Sequence, residues 1–251
     1  METNTPTSQP SSTLPAERQG FTANTLKLIA ITAMITSNIS RAFIPMSSIL
    51  GIAMLTISHI TGPIMYYFLA EGYRHTQNKN MYTLRLGIFA LISGISYDYF
   101  NLGMQSFSPF LFLHPLFWGH LAIRARHELE NKILQTLVII AAIGSIVCWG
   151  IGGIAIALVF DIYYDQFKKQ AIAYSCIVLF FFMPWSLIVS HNIVYGMDTI
   201  ITQLGYFIPL ILLYFYNGRL GLGGPNLKWF FYIICPAHLL ILGFLRFFVF
   251  V

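Results

Sequence analysis

The chain has 251 residues, of which 57% are hydrophobic and only 9% charged, with a mean hydropathy of +0.70, a net charge of +5 and a pI near 9.1. Soluble domains carry roughly 25% charged residues, and a domain this poor in charge has almost nothing with which to cover its surface. Soluble enzyme, nucleic-acid binder and disulfide scaffold are thereby excluded, and the composition indicates an integral membrane protein.

The chain opens with METNTPTSQPSSTLPAERQG, a Ser-, Thr- and Pro-rich stretch that cannot bury a core, and a disordered polar tail is expected over residues 1–22. It has no apolar h-region, so the first span is expected to serve as an uncleaved insertion signal. Apolar runs then follow at about 26–44, 48–70, 84–102, 107–123, 133–149, 150–165, 171–190, 199–216 and 228–250. About 20 residues cross the hydrocarbon core. The expected fold class is therefore all-α: a polytopic transmembrane helix bundle of about nine spans filling residues 23–251. The fifth and sixth runs are short and meet at Trp149-Gly150-Ile151-Gly152-Gly153, either a tight turn or a re-entrant hairpin.

Cytoplasmic loops carry the excess of Lys and Arg, so these residues orient the runs. Arg18 and Lys27 precede the first; Arg74, Lys79 and Arg85 lie between the second and third, and Arg124, Arg126 and Lys132 between the fourth and fifth. Lys168 and Lys169 follow the sixth, while Arg219 and Lys228 separate the eighth from the ninth. Of 14 basic residues only Arg41 and Arg246 fall on the other side. The N-terminus is accordingly expected inside and the C-terminus outside.

Ionisable groups within the membrane are functional candidates by default, because each costs at least about 2.5 kcal/mol to insert. His59 falls in the second run, Asp98 in the third, His114 and His120 in the fourth and His238 in the ninth. The first adds Thr36, Ser37 and Asn38, with Arg41 one turn on. Asn38, His59, Asp98, His114 and His238 share a depth at which a carboxylate orienting an imidazole would form an acid/base pair. In the alternative, each His is neutral and hydrogen-bonded between helices, and Asp98 pairs with Arg41 or a Tyr hydroxyl.

A second cluster lies toward the cytoplasm: Glu71, Arg74, His75, Lys79 and Arg85, with Arg124, Arg126 and His127 opposite. Such cations cradle phosphates, although the positive-inside rule requires them without any ligand. His191 and Asp198 read as solvated, and Cys148, Cys176 and Cys235 as small hydrophobes without metal or redox spacing. No metal is expected, since no two His or carboxylates recur at helical spacing with a third ligand nearby.

Leu26–Ser40, Gly62–Asp98, the YNGRLG segment and Phe230–Leu242 resemble the TraX family, most specifically at Glu71-Gly72-Tyr73-Arg74-His75-Thr76, Arg85–Ser93 and Tyr97-Asp98. These bacterial membrane proteins are named for the acetylase of conjugative pilin, and they are similar to the larger group of multispanning acyltransferases. The resemblance implies a multi-pass protein of the bacterial inner membrane that takes acetyl from acetyl-CoA to a pilin N-terminus or another envelope acceptor, with pilin or envelope polymer as partner. Glu71, Arg74, His75, Tyr97, Asp98 and His238 match family positions. The family's Asp-His pair at the end of the first helix is replaced here by Ser37-Asn38, and its Arg four residues before the second-helix proline by His59. The implied sketch has donor phosphates on Arg74, His75, Lys79 and Arg85 and a base at His59 or His238, with Asp98 orienting it and Asn38 holding a carbonyl or oxyanion. The alternatives are a noncatalytic pilus assembly factor on the same scaffold and a small transporter.

Overall fold

Thr22 starts the first helix by accepting the Thr25 N–H on its hydroxyl, and α1 then runs Ala23–Phe43 until Ile44 turns extended. The computed structural model describes residues 20–45, 48–102, 115–144, 150–184, 201–223 and 226–249. Along it follow α2 (Ile49–Ser58), α3 (Thr61–His75), α4 (Lys79–Leu102), α5 (Pro115–Glu128) and α6 (Lys132–Gly144). Then come α7 (Gly150–Ile162), α8 (Phe167–Ile177) with a π-turn over Val178–Phe182, a 3-10 turn over Leu204–Phe207, α9 (Ile208–Tyr214) and α10 (Asn226–Phe248). Every apolar run carries helix, and among the described residues no strand forms, only a single bridge between Phe21 and Tyr216.

The run expected as one helix over 48–70 is broken at His59–Ile60. Pro63 has no N–H for the His59 carbonyl and its ring crowds that oxygen. The chain responds with tight bonds, His59 N–H to the Thr56 carbonyl at 3.4 Å and Ile60 N–H to the Ile57 carbonyl at 3.1 Å. The fourth run also shifts: its described part starts at Pro115 and continues past 123 to Glu128. The junction expected at Trp149 lies outside the described residues in part, as do His114, Cys148, His191 and Asp198. The tail expected through residue 22 is anchored from Gly20 onward. Phe21 N–H donates to the Phe215 carbonyl (2.8 Å), Asn217 N–H to the Phe21 carbonyl (3.0 Å) and Ala23 N–H to the Arg219 carbonyl (2.8 Å). Gly221 is needed in this seam, with φ +85° and a Cβ position only 2.2 Å from the Thr22 hydroxyl.

α3 packs on α1, α5 and α7, and α10 on α1 and α4. Small residues let these helices approach closely: an added Cβ at Gly153 would lie 2.0 Å from the Tyr66 hydroxyl, and one at Gly119 would touch Ala157 and Leu69. Leu26, Ile64, Tyr73, Ile123, Ile156 and Phe160 fill the centre. The outside is apolar too, with Ile49 88% and Phe180 80% exposed, far beyond the patches a water-soluble monomer tolerates. Among the described residues two stretches are long and apolar enough to cross a membrane: Ile49–His75, of 27 residues and mean hydropathy 1.5, and Trp229–Phe248, of 20 residues and mean hydropathy 1.8.

Candidate functional site

Helix ends bring the basic residues together at one end of the bundle. Asp161, in the last turn of α7, is fully buried and receives Arg74 from α3 (3.1 Å), Arg126 from α5, and His127 from α5 at 2.9 and 3.0 Å. Arg74 also donates to the Asp161 carbonyl at 2.8 Å and lies over the Tyr164 ring, whose hydroxyl meets His75 at 3.4 Å. Beside this hub, Arg124 bonds Glu128, Thr83 and Asn80, and the Tyr73 hydroxyl donates to Glu128 at 3.1 Å. Partial burial pushes the Glu128 carboxyl up, but the bonds from Arg124 and Tyr73 outweigh it and hold the group below the usual carboxylate range. Glu71 accepts from the Tyr216 hydroxyl at 2.8 Å.

Three of the expected phosphate ligands have partners within the chain. Arg74 is committed to Asp161, His75 to Tyr164, and Lys79 sits 4.5 Å over the Tyr73 ring. Arg85 differs: its Nε is buried without a hydrogen-bond partner, it joins no ion pair among the described residues, and its charge acts on Tyr82 and Tyr232. Both tyrosines line a cavity of about 570 Å³ between α1, α3, α4, α5 and α10.

That cavity is elongated along the helices. Its α1 wall steps through Asn24, Lys27, Ile31 and Met34, and its α10 wall through Phe231, Tyr232 and Cys235. Ten residues of helix rise about 15 Å. Lys27, 4.9 Å over the Phe68 ring, marks one end. Ser93, Met34 and Cys235 mark the other. One turn further along the same faces stand Asn38 and His238.

Asn38 and His238 are both buried and bonded to each other, Asn38 Nδ2 to His238 Nε2 at 2.9 Å. His238 Nδ1–H donates to the Ile234 carbonyl at 2.7 Å, which fixes the tautomer and leaves Nε2 with a lone pair that accepts from the Asn38 amide. His59 is placed differently. Its Nδ1–H donates to the Leu55 carbonyl at 2.8 Å and its ring packs edge-on to Tyr206. In both histidines the partner of Nδ1 is the carbonyl four residues back. Asp98 is buried on α4, two residues before Phe100, which packs against Leu239 of α10. His120 is buried against Thr83 (2.8 Å) between the Tyr73 and Tyr82 rings.

Sequence reasoning passed over Asp161. Its signal was available: a lone carboxylate in an otherwise apolar helix is a default candidate. Lys27 was read only as a topological charge.

A family model described as "TraX protein" matches residues 22–246. The probable fimbrial assembly protein FimC, serogroup H1, of Dichelobacter nodosus is 29% identical over 238 residues, covering 88% of this chain and 94% of that protein. No solved structure matches.

Proposed function

We propose that this chain, which belongs to the TraX family, is a multi-pass protein of the bacterial inner membrane that serves pilus or fimbrial assembly by acetylating a pilin amine or another envelope acceptor from acetyl-CoA. The observation that carries this reading is the alignment of one cavity with two chemistries: Lys27 at one end, with the Arg85 charge acting on the lining tyrosines Tyr82 and Tyr232, and the Asn38–His238 pair one turn past its other end. The orphaned, buried Nε of Arg85 suits a phosphate-bearing donor. A roughly 15 Å passage suits a thin arm that delivers a thioester to the membrane interior. Acetyl-CoA supplies an activated acyl group; the chain supplies position and proton transfer. With the donor bound, His238 Nε2 would take the proton of the attacking amine as the C–N bond forms and return it to the CoA sulfur as the C–S bond breaks. The displaced Asn38 N–H would donate to the carbonyl oxygen of the acyl group. The relative named as a fimbrial assembly protein supports the pilus context.

Purified chain incubated with labelled acetyl-CoA and an acceptor peptide carrying a free N-terminal amine is expected to bind the donor and acetylate the peptide. Failure to bind would remove the donor site and the enzyme together. Binding without turnover would favour the noncatalytic assembly factor, a reading supported by Ser37-Asn38 standing where an Asp-His pair is expected.

The proposal includes nine spans, the N-terminus inside and the polar tail outside the bundle. A cysteine at Lys168, in the first turn of α8, is expected to be shielded from a membrane-impermeant thiol reagent in intact cells, while one at Asp198 reacts. Labelling at Lys168 with none at Asp198 would invert the topology and take the basic end away from cytoplasmic acetyl-CoA.

A further inference from the structure

Arg41 stands in the last turn of α1, at the end of the bundle remote from Asp161 and three residues beyond Asn38, hence on the same face. Helical side chains lean toward the N-terminus of their helix, so Arg41 leans back along α1 toward the level of Asn38. The side chain is half-buried, its Nε is buried with no hydrogen-bond partner, and its charge reaches His59. No carboxylate pairs with it among the described residues, whereas Arg74 and Arg126 hold Asp161, and Arg124 holds Glu128. A basic residue in a last turn meets the negative end of the helix dipole, but that does not account for a buried, unbonded Nε. A half-buried guanidinium without a counter-ion among the described residues keeps part of its desolvation cost, and an anion arriving from outside relieves it.

From this we infer that Arg41 is the recognition point for a carboxylate on the acceptor, which makes the substrate an acidic polypeptide N-terminus. The inference rests on the transferase reading for what the peptide is bound for. About 5 Å, one helical turn, separates Arg41 from the level of Asn38 and His238. The carboxylate therefore belongs to one of the first few residues after the reactive amine, and the planar guanidinium fork takes it in two parallel hydrogen bonds.

The test uses two short peptides with free N-termini, identical except for Glu or Gln near the start, each labelled with a fluorophore at its C-terminus. Anisotropy against the full chain in detergent is expected to show the Glu peptide binding about tenfold tighter. Arg41→Gln should erase that difference, and Arg41→Glu should turn the preference toward a Lys peptide. Equal binding of the two peptides by the native chain, or discrimination that persists in either variant, would overturn the assignment. Since binding is read without turnover, absence of acetyl transfer to both peptides would count against the transferase reading alone.

Discussion

Replacing Asp161 with alanine should destabilise the bundle more than any other single change among its polar residues, by about 3 kcal/mol. The carboxylate is fully buried and ties α7 to α3 through Arg74 and to α5 through Arg126 and His127. Removing it leaves two guanidinium groups facing one another with their shared anion gone. The figure stays at the lower end of what breaking a buried pair costs, because both arginine side chains are 32% exposed and can turn toward water. Arg124 and Glu128 make the useful contrast. That pair is i,i+4 on one helix with side chains 28% and 33% exposed, so Glu128→Gln should cost no more than about 1 kcal/mol. Thermal melting in detergent distinguishes the two, and an Asp161→Ala protein that melts with the native chain would remove the hub as the fastener of this end.

What the sequence disclosed follows from what each feature needs. Apolar runs depend only on the local chain, so the described helical segments were legible apart from the break within 48–70, and so was the grouping of basic residues at the ends of α3 and α5. The break at His59–Ile60 was legible in principle, since Pro63 removes the N–H that a continuous helix requires. Partnerships were not. Asp161 meets residues 34, 35 and 87 positions away, and Asn38 meets a histidine 200 positions on. Only the packing of separate helices creates those pairs, and no spacing in the chain encodes it. The same limit explains the phosphate ligands: Arg74, His75 and Lys79 read as available cations until Asp161, Tyr164 and Tyr73 were seen to occupy them. Arg85 differs in having no ion-pair partner among the described residues, and Lys27 lines the cavity wall from α1.

His238→Ala should lower acetyl transfer by about 10²–10⁴ while leaving the helical content intact. Its imidazole has the tautomer a base requires, Nδ1–H held by the Ile234 carbonyl and the Nε2 lone pair accepting from the Asn38 amide. His59→Ala should act mainly through lost packing on Tyr206, and an outcome in which this variant alone is inactive would move the base to helix α2. The partner of His238 sets a second expectation. Asn38 donates to Nε2, so it occupies the lone pair and, unlike a carboxylate, does nothing to favour the imidazolium form. Changing Ser37 to Asp and Asn38 to His together restores the pair the family carries there and puts an anion beside two imidazoles. Transfer should rise despite the loss of the Asn38 N–H, because the imidazole introduced at position 38 can donate in its place and a charged orienter supports the proton that leaves the amine. If the double variant transfers acetyl where the native chain does not, the scaffold has kept its donor path and lost its base. If both bind acetyl-CoA and neither transfers it, the bundle is an assembly factor that retains the cavity without the reaction.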